Sequence, residues 1–439
     1  MSRRGRSSAS ARPDTGGLAK DLGGTVREIS AKETLSRLKP LLVEFGITRL
    51  ANITGLDTIG IPVWTVMRPL ARSLAVSQGK GVTHELAIVS GIMESIEVFH
   101  AEQRRPLPTA RRVFECKRNP AFISAELLTL RADGDLSRDR SIPWIKGVDL
   151  FDHHPKWIPA ELFDLDFCRR AAAPIFLASS NGLASGNTRT EALVHGLCEV
   201  IERDQTSFWF SEQDHLDPKM SRRVIIDSIK DPVCQGLLEK CLGAELEIFI
   251  WYITINIDIP VFVCTIADQH NNTPFPQQAT GYGCHPIATI ALARAISEAA
   301  QSRLTHISGL REDLTWSRYR EEFLCETDEN KSSLAKMSEQ PATIDFGKLC
   351  TVSDKKSLDM RSLLQGILDC LAKANLRCAV AVDLAENEVF SVVFVCVPGL
   401  EYRTPKARIL YKPGARMREY VKQQRLHFAG RPEFSTAQT

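Results

Sequence analysis

Three separated stretches of the sequence place carboxylates at helical spacing beside an apolar stripe. In the first, Ser90, Glu94 and Glu97 fall at i, i+4 and i+7, next to Leu86, Val89, Met93 and Ile96. In the second, His195, Glu199 and Glu202 share a face, with Arg203 adjacent, beside Leu193, Leu197, Val200 and Ile201. In the third, Arg294, Glu298 and Gln301 align beside Ala293, Ile296, Ala300, Leu304 and Ile307. Such spacing stacks side chains on one side of a helix, so each set presents one polar face. A single charged stripe is ordinarily a solvated face. Three of the same kind, with short partners such as Ser90 and Gln301, suit a shared site instead. Five carboxylates brought together repel one another and take up protons unless cations compensate them. Magnesium meets that need, because it takes oxygen ligands, keeps some waters and is held by a few carboxylates together with nucleotide phosphates. Lys80, Arg203 and Arg294 would neutralise the remaining phosphate charge.

The elements that must position these groups are partly legible. Gly79-Lys80-Gly81 precedes the first helix, and the Gly-rich residues 182–187 precede the second. Glycines let a backbone approach phosphate, and a helix N-terminus favours anions. Neither loop is a Walker A motif, since Leu74 stands where its first glycine would be; Gly281-Tyr282-Gly283 lacks the third glycine of a dinucleotide fingerprint. Thr188 and Glu191 satisfy a capping box, the ordinary structural role for Glu191. The spacing predicts helices ending near 98, over 188–204, over 286–308 between Pro286 and Gly309, and near 357–374. Apolar, β-branched runs predict strands over 246–255, 260–267, 377–384 and 389–397. Residues 101–118 read as a basic loop or exposed hairpin, and 321–345 as a surface excursion. No repeat of fixed period is evident. Strands and helices alternate irregularly, which points to an α+β class. The expected organisation is a disordered basic tail over 1–33, one domain over 34–400 and an irregular tail over 401–439.

Composition excludes several classes. The 439 residues are 44% hydrophobic and 25% charged, enough for a core without staples. A formal charge of +2 gives no argument for nucleic-acid binding. No apolar run is long enough for a membrane span or signal peptide, so a cytoplasmic protein is expected. The twelve cysteines form no CxxC pair, and Cys264 and Cys396 sit in apolar runs where a reduced thiol acts as a small hydrophobe.

Residues 180–204, SNGLASGNTRTEALVHGLCEVIERD, resemble the signature of the YcaO family. Two further blocks agree in order and spacing: Gly79-Lys80-Gly81 followed by Ser90, Glu94 and Glu97, and Glu298, Gln301 and Arg303 leading to Arg311. The resemblance covers roughly residues 70–400. It implies a YcaO-type fold of several mixed subdomains around a non-Walker ATP site lined by acidic helices. Glu94, Glu97, Glu199, Glu202 and Glu298 would hold Mg2+, and Lys80, Ser90, Glu191, Arg203, Gln301 and Arg311 would serve ATP. It gives His195 no role, and a buried, hydrogen-bonded histidine is the ordinary reading there.

The implied activity is ATP-dependent activation of a peptide backbone amide. An internal Cys, Ser or Thr nucleophile then yields an azoline, and an external sulfide equivalent yields a thioamide. The C-terminus lacks the PxPxP motif common in azoline-forming members, while residues 397–401, VPGLE, resemble members that work with a TfuA-type partner. The thioamide type is therefore favoured, over an azoline-forming cyclodehydratase or an ATP-binding accessory factor for ribosomal-protein methylthiolation. The segment before the first block is too short for the fused leader-binding domain of some relatives, so a separate partner is expected to deliver the peptide. Homodimers occur among relatives; no nucleic acid or membrane partner is implied.

Overall fold

In the computed structural model, residues 19–103, 110–116, 119–136, 140–169, 174–213, 222–268, 278–314, 335–349, 359–403 and 411–429 are described. The helices include α1 (Ala31–Leu38), α2 (His84–Glu102), the one-turn α3 (Val113–Cys116), α4 (Arg189–Gln213), α5 (Pro232–Gly243), α6 (Ala288–Ser308), α7 (Met360–Lys373) and α8 (Ala415–Ala429). They pack on three main sheets, in the mixed helix-and-sheet class that the sequence predicts.

Arg49–Asn52, Val63–Met67 and Val76–Lys80 form an antiparallel sheet in chain order, covered by α2. A six-stranded sheet runs Leu183–Gly186, Ser391–Cys396, Val380–Glu386, Ser141–Asp149, Ala110–Arg112, with Pro155–Pro159 also paired to Ser141–Asp149. Helix α4 lies on its Leu183–Gly186 and Ser391–Cys396 strands. A five-stranded sheet runs Gln278–Cys284, Val261–Ala267, Glu247–Tyr252, Arg223–Val224, Ala342–Ile344, covered by α5 and α6. Val261–Ala267 is buried throughout its length, which is why its sequence is a continuous apolar run rather than an alternation.

Helix boundaries follow local chemistry. Thr83 caps α2 by accepting from the Leu86 amide, and Gly309 ends α6 in the left-handed region at φ 58°. Helix α6 begins at Ala288, so Pro286 stays just outside it, and α4 extends to Gln213, past the predicted end at 204.

Of the tail expected over 1–33, residues 19–33 are structured. Lys20–Asp21 and Val26–Arg27 form a hairpin, and Ser30 caps α1. The turn uses Gly23 and Gly24, at φ 76° and 71°, with Gly24 against Val82 and Ala293. Two-residue polar strands carry no periodicity, so only these tertiary contacts reveal them. Residues 1–18 lie outside the described residues.

The irregular end expected over 401–439 likewise contains the strand Tyr411–Lys412, paired with Leu130–Arg131, and α8. Arg416 on α8 reaches buried Asp204, at 2.8 Å, and the Gly399 carbonyl. Of the predicted excursion over 321–345, residues 321–334 lie outside the description, and Ala342–Ile344 is an edge strand. Of the basic stretch over 101–118, residues 104–109 and 117–118 lie outside; α2 extends into it to Glu102, Ala110–Arg112 is an edge strand and α3 follows. Among the described residues, no helix is long and apolar enough to cross a membrane.

Candidate functional site

A cavity of about 650 Å3 opens between the three sheet–helix units. It is lined by Lys80, Ser90, Glu94, Glu97, Glu191, Glu199, Glu202, Arg203, Glu298, Gln301 and Arg311, and also by His195 and Arg294. The three polar faces are therefore turned inward on a common space rather than to bulk solvent.

The convergence has a simple geometric basis. Counted from the first residue of α2, α4 and α6, Ser90, His195 and Arg294 lie six residues on. Glu94, Glu199 and Glu298 lie ten on, and Glu97, Glu202 and Gln301 thirteen on. Each helix follows a strand after a short turn and packs back on it through small residues. A Cβ added to Gly79 would meet the Ala87 carbonyl oxygen at 2.0 Å and the Gly91 amide nitrogen at 2.1 Å. One added to Gly283 would meet the Ala291 carbonyl oxygen at 2.0 Å, and one added to Gly196 would lie 3.4 Å from the Ala184 Cβ. The Gly281-Tyr282-Gly283 run thus lets α6 touch its strand and is no nucleotide fingerprint. The same unit recurs three times at unequal intervals, which is why the sequence shows no fixed period.

Hydrogen bonds hold several site groups in place. Lys80 Nζ lies 2.5 Å from Glu298 Oε2 and donates to Gln301 Oε1 at 3.2 Å. Gln301 Nε2 donates to the Gln78 carbonyl, and the Gln78 amide donates to Glu94. Ser185 Oγ donates to Glu97 Oε1 at 2.5 Å. Arg203 lies 3.7 Å from Glu202 and over the Tyr282 ring. Arg311 lines the cavity while bonded through two nitrogens to Asp313. Arg303, which shares a sequence block with Glu298 and Gln301, is instead buried against Asp57.

Glu191 is fully buried. Its carboxylate accepts from the amides of Glu28 and Asn187 and from the Asn187 side chain, and Arg27 lies 3.8 Å away. Thr188 accepts from the Glu191 amide, as a capping box requires, but the reciprocal bond goes to Asn187, one residue earlier. Arg27 and the hairpin residues Leu22–Thr25 also line the cavity and were not visible as site residues in the sequence. The only signal was the arginine itself, in a stretch that read as a tail.

Electrostatics divide the carboxylates. Burial pushes Glu94, Glu97 and Glu202 above their ordinary range, and raises Glu199 to about 7 despite the nearby Arg203. Burial acts the same way on Glu298, but Lys80 and Arg203 overcome it and hold that group low. Arg203 is raised in turn, because Glu202, Glu298 and Glu199 outweigh its desolvation. Burial thus outweighs the neighbouring arginines and Lys80 at Glu94, Glu199 and Glu202, and only at Glu298 do the cations prevail.

Among the described residues no three His, Cys, Asp or Glu side chains cluster closely enough to hold a metal alone. That is compatible with Mg2+, which takes one or two carboxylates and completes its shell with water and phosphate oxygens. The donor set, all hard oxygen, fits that ion.

The profile of the YcaO family, described as a YcaO cyclodehydratase, ATP- and Mg2+-binding, matches residues 78–401, and this chain belongs to that family. ATP and Mg2+ are the cofactors of the family. Among individual relatives, an uncharacterized protein in the tfuA 3′ region of Rhizobium leguminosarum bv. trifolii is 35% identical over 296 residues, 66% of this chain and 69% of that one. An uncharacterized protein of Methanothermobacter thermautotrophicus is 33% identical over 382 residues, covering 85% and 94%. The structure of YcaO from Methanopyrus kandleri bound with AMPPCP and Mg2+ shares the fold, with a TM-score of 0.68, 22% identity, and 89% and 97% coverage. A heterocyclase in complex with substrate and cofactor gives the same TM-score at 18% identity, over 86% of this chain and 53% of that one.

Proposed function

We propose that this chain binds ATP and Mg2+ in the cavity between α2, α4 and α6 and activates a backbone amide of a peptide. The observation that carries the proposal is the in-register convergence of Glu94, Glu97, Glu199, Glu202 and Glu298 on one space that also holds Lys80, Arg203 and Arg294. When bound, Mg-ATP supplies the phosphoryl group that turns the amide oxygen into a leaving group. The five glutamates hold the metal. Lys80, Arg203, Arg294 and Arg311 orient the phosphates and offset their charge, and Ser90 and Gln301 add neutral hydrogen bonds. Glu191 fixes the loop before α4, acting through Asn187 and Glu28 rather than as a free ligand. The protein thus contributes positioning and charge neutralisation, the two effects that dominate phosphoryl transfer.

The thioamide reaction is the favoured outcome. The relative from the tfuA 3′ region and the VPGLE segment support a TfuA-type partner, with an external sulfide equivalent as nucleophile. The second reading, azoline formation, is supported by the cyclodehydratase description of the family.

Calorimetric titration with Mg-ATP, beside the Glu199→Ala/Glu202→Ala double variant, tests the site. Binding by the wild type that vanishes in a folded variant is the expected result. Equal binding by both would place the nucleotide elsewhere.

A further inference from the structure

Gln78 has no part among the residues proposed for nucleotide and metal, yet it lines the cavity. It stands two residues before Lys80 on the strand Val76–Lys80, so the two side chains leave the same face of that strand. The residue is 4% exposed and is held at three points. Its backbone amide donates to Glu94 Oε2 at 3.3 Å, and its carbonyl accepts from Gln301 Nε2 at 2.7 Å. Its side-chain Oε1 accepts from the Thr305 hydroxyl. The remaining polar group, Nε2, has no hydrogen-bond partner among the described residues. An unpaired buried donor is unfavourable, and native folds rarely keep one without a use. Here α2 and α6 both hold the residue still against the cavity, with its side-chain N–H groups left over.

The surroundings narrow what those N–H groups can meet. An amide nitrogen donates and does not ligate a metal ion, so its complement is an acceptor atom of the ligand. Gln301 bonds both Gln78 and Lys80, Lys80 reaches Glu298, and Arg311 lines the same cavity. An acceptor held beside these cations is best supplied by an anion. Glu94 and Glu298 are among the groups proposed to hold Mg2+, and in nucleotide sites such an ion bridges β and γ phosphate oxygens. Gln78 touches the first of these glutamates directly and is joined to the second through Gln301 and Lys80.

We infer that Gln78 binds the nucleotide by donating a hydrogen bond from Nε2 to an oxygen of its β or γ phosphate. The inference rests on the nucleotide reading of the cavity and adds to it a neutral phosphate-binding residue.

The test is calorimetric titration of the full chain with ATP, ADP and AMP in the presence of magnesium. Wild type, Gln78→Met and Gln78→Glu are compared, with melting curves as the check on folding. Gln78→Met fills similar space with neither N–H nor amide oxygen, and Gln78→Glu keeps an acceptor for Thr305 while removing the donor. Gln78→Met should bind ATP about tenfold more weakly than wild type. It should bind AMP, which lacks both phosphates, as well as wild type does. ADP then identifies the phosphate, since a loss kept with ADP marks the β group and a loss abolished marks the γ group. Gln78→Glu should lose at least as much affinity for ATP, and it carries the test if the Met variant does not fold. ATP affinity unchanged in a folded variant would overturn the inference, as would an equal fold-loss for AMP, which a merely structural Gln78 predicts. No nucleotide binding at all by wild type would remove the nucleotide reading and this inference together.

Discussion

At steps ten and thirteen, helices α2 and α4 each present two carboxylates to the cavity, whereas α6 presents Glu298 and then Gln301, preceded by Arg294. The backbone register is the same in all three, so the difference lies in side-chain choice alone. Glu298, beside Lys80, is held below its ordinary pKa, while Glu94, Glu97, Glu199 and Glu202 are pushed above theirs. One shared scaffold thus carries an acid-rich side on which burial outweighs the nearby cations, and a side that Lys80 neutralises directly. The lesson is that placement and charge are set separately: glycines and alanines fix where the face lies, and the residues at steps six, ten and thirteen fix its sign.

The scaffold half of the comparison can be broken most forcefully. Gly79→Ala and Gly283→Ala should each cost about 3 kcal/mol in denaturant unfolding, because both new methyl groups meet a helix carbonyl at 2.0 Å. Gly236→Ala, inside α5 with nothing within 4 Å, should instead stabilise by about 0.5–1 kcal/mol. Unequal costs at Gly79 and Gly283 would argue against a recurring unit.

The charge half is sharpened by Gln301→Glu, which gives α6 the acid pair of the other two helices. The new carboxylate loses the bond to the Gln78 carbonyl and crowds Glu298. Mg-ATP affinity should fall about tenfold at low magnesium and recover in part at high magnesium, read by titration. Undiminished affinity at low magnesium would show that the neutral amide is dispensable.

The smallest effect is the proton linkage of Glu199. Its folded pKa is raised from 4.5 to about 7, so the protonated form is favoured in the fold. Its contribution to stability is present below pH 4.5 and is lost as the pH rises through about 7. The ligand-free protein should lose a few degrees of melting temperature over that window, and Glu199→Gln should flatten this part of the slope. A slope unchanged in the Gln variant would place the titration elsewhere.

Much of this arrangement was legible in the sequence. Helical spacing alone puts Glu94 with Glu97, Glu199 with Glu202, and Glu298 with Gln301, and it places strands at Val261–Ala267 and Ser391–Cys396. What could not be read is tertiary. Nothing in the sequence says that Gly283 touches Ala291, so its GYG run resembled a failed nucleotide loop. Arg27 enters the cavity from a hairpin too short to have a period, and α8 is held by Arg416 on buried Asp204 and by Tyr420 against Phe208, both partners far from it in the chain. Glu191 was ambiguous between cap and ligand, and its buried bonds show how a cap can also form the wall of a site.

The pairing of Lys80 with Glu298 spans 218 residues, and that of Gln301 with the Gln78 carbonyl spans 223. Contacts of such separation form late, because much chain entropy must be surrendered before they are gained. A nascent or partly folded chain therefore holds no competent cavity, however well α2 or α4 has formed by itself. The cavity therefore exists only once sheet–helix units far apart in the chain have docked on one another.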